Sequence, residues 1–191
     1  MSSASNKTVV QKYGGSSLKN ISAIKNIAKK IIKKHSEGFN MVIVVSAMGK
    51  STDQLLNKAT KIIKDISGKH NRDLDMLLST GELVSATLLS MAINSKGVNA
   101  ISLTGTQAGI KTNLSYGSAR ISNIEISRIK KELNSNKIVI VAGFQGISNT
   151  EDITTLGRGG SDTTAVALAA AIKASTCEIY TDVEGIYTAD P

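Results

Sequence analysis

Met41-Val-Ile-Val-Val-Ser46 is apolar at five successive positions, four of them β-branched, and it closes on the small-residue turn Ala47-Met-Gly49. A run that is apolar at both parities reads as a strand buried on both faces, not as one face of a solvated sheet. Working outward, short β-branched runs that also read as buried strands recur at Thr8–Lys12, Asn99–Leu103, Lys137–Ala142 and Cys177–Thr181. Between these runs the apolar spacing turns helical, over about 20–36, 52–66, 73–95, 123–134 and 161–174. Strand and helix in alternation predict an α/β layer fold, with a mostly parallel sheet covered by helices on both sides. Two stretches, 104–122 and 143–162, lack either period and are rich in Gly, Ser and Thr. They read as long irregular segments of the kind that carry function.

The 191 residues suffice for one domain with its own core. Residues 1–7 read as a loose Ser-rich tail without the apolar core of a signal peptide, and residues 8–191 as the domain. The chain stops at Thr188-Ala-Asp-Pro191, just after a strand and a turn-like segment, and is expected to be a fragment of a longer protein. The longest unbroken apolar run, Ala165–Ile172, has eight residues, whereas a membrane span needs about 18, so no membrane partner is expected. Lys plus Arg exceed Asp plus Glu by 23 to 15, a net charge of +8. Lys25, Lys29, Lys30, Lys33 and Lys34 fall on the polar side of one helical pattern and read as its solvated face. With two Phe, four Tyr and no Trp there are few rings for stacking, which argues against nucleic acid. Phosphate-bearing small molecules fit the charge. Cys177 is the single cysteine, so no disulfide forms within the chain; a buried, inert thiol and a reducing cytoplasm are expected.

In an open parallel sheet, ligands bind beyond the carboxyl ends of the strands. Those ends carry Lys12-Tyr-Gly-Gly-Ser-Ser17, Ser46-Ala-Met-Gly49, Gly143-Phe-Gln-Gly146 and Asp182-Val-Glu-Gly185. Glycine lets backbone approach a ligand, and helix N-termini offer free N–H groups to phosphate. Gly157-Arg-Gly-Gly-Ser-Asp162 opens a helix, with Ser161 as its expected cap and Asp162 in its first turn. Arg158 opposes the positive helix end unless an anion sits between them, so this segment points to an anion site. Gly49-Lys50-Ser51 ends like a phosphate-binding P-loop, but the required first glycine is Val44, and no GxGxxG occurs. Glu82 has Leu78, Ser79, Ser85 and Ala86 at helical spacing, so no cation on its own helix pairs with it. If buried, it needs a tertiary or ligand partner; if exposed, it is an ordinary surface carboxylate. Gly81 beside it, costly in a helix, suggests close approach. His35 and His70 read as surface residues, no cluster has metal-ligand spacing, and no catalytic triad is supported.

Lys12-Tyr-Gly-Gly-Ser-Ser17, Val44-Val-Ser-Ala-Met-Gly49, Leu78-Ser-Thr-Gly-Glu82, Ser102-Leu-Thr-Gly-Thr-Gln-Ala-Gly109, Leu156-Gly-Arg-Gly-Gly-Ser-Asp-Thr-Thr164 and Ile179-Tyr-Thr-Asp-Val-Glu-Gly-Ile-Tyr187 together resemble the aspartokinase family of the amino-acid kinase superfamily. The resemblance runs from about residue 8 to the last residue. It implies a three-layer α/β/α sandwich and ATP-dependent phosphorylation of the side-chain carboxylate of L-aspartate, with Mg2+. It implies that Lys12 contacts the ATP phosphates beside Tyr13, Gly14 and Gly15. Thr52, Glu82, Arg158 and Ser161 would hold aspartate, Glu82 at the ammonium and Arg158 at a carboxylate. Asp162 would orient the catalytic Lys12, and Thr181, Asp182 and Tyr187 would line the nucleotide site. Tyr13 and Ser16 replace the family's more usual Phe and Thr. Aspartokinases continue with a nucleotide-site Arg, a Gly-Ala-Lys segment and regulatory ACT domains. Partners implied are L-aspartate and ATP, with a homo-oligomer compatible. Two other readings stand beside this one: another amino-acid kinase, acting on glutamate, acetylglutamate, carbamate or UMP, and a catalytically silent fragment that binds ligand or a partner chain.

Overall fold

In the computed structural model, which describes residues 7–63 and 72–181, the β-branched runs form one parallel sheet, in which Thr176–Tyr180 is largely exposed. Its strands are β1 (Thr8–Tyr13), β2 (Asn40–Val45), β3 (Ala100–Leu103), β6 (Ile138–Ala142) and β9 (Thr176–Tyr180), in the order β3-β6-β2-β1-β9. The pairings β1/β2, β1/β9, β2/β6 and β3/β6 are all parallel. The helices are α1 (Ile21–Ser36), α2 (Ser51–Thr60), α3 (Arg72–Asn94), α4 (Ser127–Asn134) and α5 (Gly160–Ile172).

The sheet's alternation explains why both parities are apolar. Met41, Ile43, Val45, Ile138 and Ile140 face α1 and α3, against Ile24, Ile31, Leu89 and Ile93. Val42, Val44, Val139 and Val141 face the other way, against Ile129 and Leu133 of α4 and Ala165 and Leu168 of α5. Each such side chain contributes about 1.5–3 kcal/mol when fully buried, so the two central strands β2 and β6 anchor both layers. α1 starts at Asn20, whose side chain accepts from the Ala23 N–H at 2.9 Å. Its Lys25, Lys29, Lys30 and Lys33 are exposed, as the spacing implies. Lys34 instead reaches Glu178 of β9 and lies 5.7 Å from the Phe39 ring centroid. α3 has the length and hydropathy of a membrane-crossing helix. However, Ala86, Leu89 and Ile93 pack into the core, and the helix buries the polar Asp75 and Glu82. It is therefore read as a core helix.

The stretches expected to be irregular hold a second sheet. Its strands β4 (Ile110–Thr112), β5 (Ile121–Ile124), β7 (Gln145–Ile147) and β8 (Ile153–Thr155) lie in the order β5-β4-β7-β8. β4/β5 and β7/β8 are antiparallel, while β4/β7 is parallel. Strands this short show no period in the sequence. The helix expected over 123–134 begins only at Ser127, because 121–124 pairs as β5. Cys177 is exposed, not buried: β9 is the edge strand of its sheet among the described residues, and its outer face is uncovered.

The connections set where a ligand can sit. Those after β1 and β2 run through the α1/α3 layer, and those after β3 and β6 through the opposite layer. Neighbouring β2 and β6 therefore send their chains to opposite sides, and the crevice between them opens at their carboxyl ends.

Candidate functional site

The turns that leave β1, β2 and β6 are tied to one another through backbone. Ser46 N donates to Tyr13 O, Gly49 N to Gly15 O and Gly143 N to Val45 O, each at 3.0 Å. Gly15 makes the approach feasible, since a Cβ there would stand 2.7 Å from Ala47 O. Above these turns lies a crevice of about 330 Å³, into which Lys12, Thr52, Glu82, Arg158, Ser161 and Asp162 all converge. The expected turn after β9, 182–185, lies outside the described residues, as do Asp182 and Tyr187.

Lys12 shares the parity of Val10, so it leaves the sheet toward α5. Its Nζ lies 2.8 Å from Asp162 Oδ1 in the first turn of α5, with 10% of the lysine side chain exposed and 44% of the aspartate. At that distance the pair engages one of the three ammonium donors and leaves two for an arriving anion. Gly14 sits against this ammonium: a Cβ there would meet Nζ at 3.5 Å.

Glu82 is 3% exposed. The Ala47 N–H donates to its Oε1 at 3.1 Å, while among the described residues its buried Oε2 has no partner. Gly81 lets α3 approach this closely, because a Cβ would meet Ala47 Cβ at 2.9 Å. Glu82 is thus not the solvated surface carboxylate, and its second oxygen is open to a partner. Burial pushes its pKa up to about 7 from 4.5, opposed by the Ala47 N–H. The native state therefore binds a proton more tightly than the unfolded chain. Stability is lost as pH rises from about 4.5 through about 7, by an amount on the order of 2–3 kcal/mol. Glu82→Gln is accordingly expected to stabilise the protein by about 1–2 kcal/mol at pH 8, with the gain vanishing near pH 4.5. Urea denaturation at both pH values checks this, and destabilisation at pH 8 would contradict it.

The rim opposite Glu82 is the segment entering α5. Gly157 and Gly159 have φ of 76° and 73°, left-handed values that favour glycine. α5 starts at Gly160 with Gly159 as its cap residue and no side-chain cap. Ser161 is thus not the expected cap but a buried first-turn residue, packed so tightly on Gly143 that a Cβ there would stand 2.9 Å from Ser161 Oγ. Arg158 is exposed at the crevice mouth, and among the described residues no ion pair engages it. Thr52 enters from the first turn of α2.

Phe144 also lines the crevice and was not singled out from sequence. Its φ of 68° is rare for a bulky residue and costs on the order of 1–3 kcal/mol. Its N–H donates to Thr164 Oγ1 at 3.1 Å, and its carbonyl accepts from Leu156 N at 2.9 Å. The Gly143-Phe-Gln-Gly146 turn was the signal, but nothing in it foretells the ring's position. Conversely, the Tyr13 ring does not reach the crevice. It has the parity opposite to Lys12, lies in the core, stacks on Tyr180 at 4.7 Å and donates to Gln11 Oε1. Thr181 is exposed at the end of β9, outside the crevice lining.

The geometry offers an ammonium and a helix N-terminus for a phosphate tail, an orphan carboxylate oxygen for a cation, and a guanidinium for a carboxylate. Among the described residues no three metal-ligating side chains gather. A magnesium ion that rides mainly on phosphate oxygens and needs one carboxylate fits this set, with Asp162 at the lysine end.

The amino acid kinase family model matches residues 7–191. An aspartokinase of Bacillus sp. (strain MGA3) is 56% identical over 183 residues, 96% of this chain and 44% of the relative. The chain thus spans less than half the length of such curated relatives. The structure of aspartate kinase from Synechocystis superposes with a TM-score of 0.80 at 49% identity, covering 96% of this chain and 30% of that one. E. coli aspartokinase III in complex with aspartate and ADP superposes with a TM-score of 0.79 at 27% identity, covering 97% of this chain and 51% of the other.

Proposed function

The chain belongs to the amino acid kinase family, and on that premise we propose that it forms part of an enzyme transferring the γ-phosphoryl group of ATP to the side-chain carboxylate of L-aspartate. The products are 4-phospho-L-aspartate and ADP, the entry to lysine, threonine and methionine synthesis. The observation that carries the reading is the buried, unpartnered Glu82 Oε2 on the same crevice as the unpaired Arg158. An acidic amino acid presents the complementary ammonium and carboxylate. The likeness to a structure holding aspartate and ADP supports it.

In this mechanism the nucleophile needs no general base, because the aspartate side chain is already ionised at neutral pH. The protein's task is alignment and charge neutralisation along the in-line path. Glu82 receives the substrate ammonium, which draws the glutamate back to its ionised form. Arg158 holds a substrate carboxylate, and Ser161 and Thr52 donate or accept beside it. Lys12 meets the transferring phosphoryl group, and Asp162 holds the Lys12 ammonium in place between turnovers. When bound, Mg2+ would neutralise phosphate charge and fix the polyphosphate's shape; Asp162 is the residue placed to share it. By the family resemblance, Thr181, Asp182 and Tyr187 would serve the nucleotide. We place the enzyme in the cytoplasm, with small molecules as its partners.

A hydroxylamine trap for acyl phosphate tests the reading. With ATP, Mg2+ and aspartate the full-length parent enzyme is expected to form aspartyl hydroxamate, and this piece alone little. Hydroxamate from the parent only with glutamate would overturn the substrate assignment. Binding of both ligands by the parent without hydroxamate would favour the silent binding module.

A further inference from the structure

Asp75 lies two turns before Glu82 on α3, on the same buried face. It is 2% exposed, and four short donor contacts surround it. Gly117 N approaches both carboxylate oxygens at 3.0 Å, Thr155 N donates to Oδ2 at 2.7 Å, and Thr155 Oγ1 donates to Oδ1 at 2.9 Å. Thr155 closes β8, the edge strand of the second sheet, and its N–H on that free edge would otherwise be buried without an acceptor. Gly117 belongs to the loop between β4 and β5.

Both donor segments border the rim that carries Arg158. Thr155 O accepts from Ala119 N at 2.9 Å, and Gly157 packs on the loop so closely that a Cβ would meet Gly117 O at 3.1 Å. Residues 155–157 are therefore held between α3 and the 117–119 loop, with Asp75 bonded to both. The next residue is Arg158, whose side chain has no ion-pair partner among the described residues. Its location depends on this backbone. α3 is also the helix that delivers Glu82 to the crevice.

We propose that Asp75 is a positioning residue. It fixes the spacing between Glu82 and the Arg158 rim, and so the fit of the crevice to an acidic amino acid. This rests on the reading of the crevice as an acidic amino acid site. The bond set specifies the carboxylate: three of the four contacts come from backbone N–H groups, so the amide of Asp75→Asn must set an N–H against a donor. The charge-assisted bonds of the native side chain are lost as well.

The test has two arms, made on wild type, Asp75→Asn and the milder Thr155→Val, which removes only the hydroxyl contact. In the first, amide hydrogen exchange is followed without ligand. The N–H groups of Leu156 and Gly160, bonded to Phe144 O and Gly157 O, should exchange at least 10-fold faster in Asp75→Asn. Those of β1 and β2 should change less than 2-fold. Thr155→Val should fall between. In the second arm, the Kd of aspartate should rise at least 10-fold in Asp75→Asn, and that of an ATP analogue with Mg2+ less than 2-fold. A purely structural role would raise exchange everywhere in proportion and leave both affinities alike. Unchanged or uniform exchange overturns the proposal whatever the ligand data show. Selective exchange with no aspartate binding by wild type supports the positioning and refutes the substrate reading.

Discussion

Replacing Lys12 with alanine is expected to lower the rate of phosphoryl transfer by a factor of about a thousand or more. The Lys12 ammonium is the cation seated at the floor of the crevice, 2.8 Å from Asp162 and 10% exposed. There the dielectric is low, and a charge aimed at the transferring group is worth several times its value in water. Removing it also takes from Asp162 the ammonium that it pairs with. At 44% exposure Asp162 is still solvated, so the fold should survive. Hydroxamate formation measures the rate, and circular dichroism confirms the fold. A variant retaining more than about a tenth of the rate would remove Lys12 from the chemistry.

Replacing Arg158 with alanine is expected to raise the aspartate Kd about 30–100-fold, the 2–3 kcal/mol of a charge-assisted bidentate contact. ATP binding should change less than 3-fold. The side chain is exposed at the mouth, so it carries no fold stability of its own. The selectivity of the loss is the informative part. Calorimetry with each ligand separately reads it, and equal losses for both would move Arg158 to the phosphate side. Arg158→Lys should recover little, because a lysine ammonium lacks the guanidinium's paired donors.

The parallel sheet was legible because burial on both faces leaves its mark residue by residue. Met41, Ile43 and Val45 serve one layer, Val42 and Val44 the other, and no polar residue can interrupt them. The second sheet left no such mark. β4, β7 and β8 have three residues each, less than two full periods of alternation. β5, at Ile121–Ile124, adjoins α4 and was absorbed into its helical pattern. Cys177 was misread because an apolar β-like run does not disclose that its strand lies at an edge.

At the crevice, Glu82 could be flagged by what its helix lacks, and Arg158 by its conflict with a helix N-terminus. Those are local arguments, and the structure brings both residues to one crevice. The Lys12–Asp162 pair joins residues 150 positions apart and has no local trace. Asp75 stands in the first turn of α3, where an acid is commonplace, so nothing local marks its contacts to Thr155 and Gly117. Tyr13 shows the opposite case: it lies in the Gly-bearing motif, and strand parity turns its ring into the core beside Tyr180.

The most direct test is a crystal structure with L-aspartate, Mg2+ and a non-hydrolysable ATP analogue bound together. The substrate ammonium should lie within hydrogen-bond distance of Glu82 Oε2, its α-carboxylate on Arg158, and the terminal phosphate on Lys12 Nζ, in line with the side-chain carboxylate. Aspartate bound with its ammonium away from Glu82, or a triphosphate that bypasses Lys12, would contradict the account.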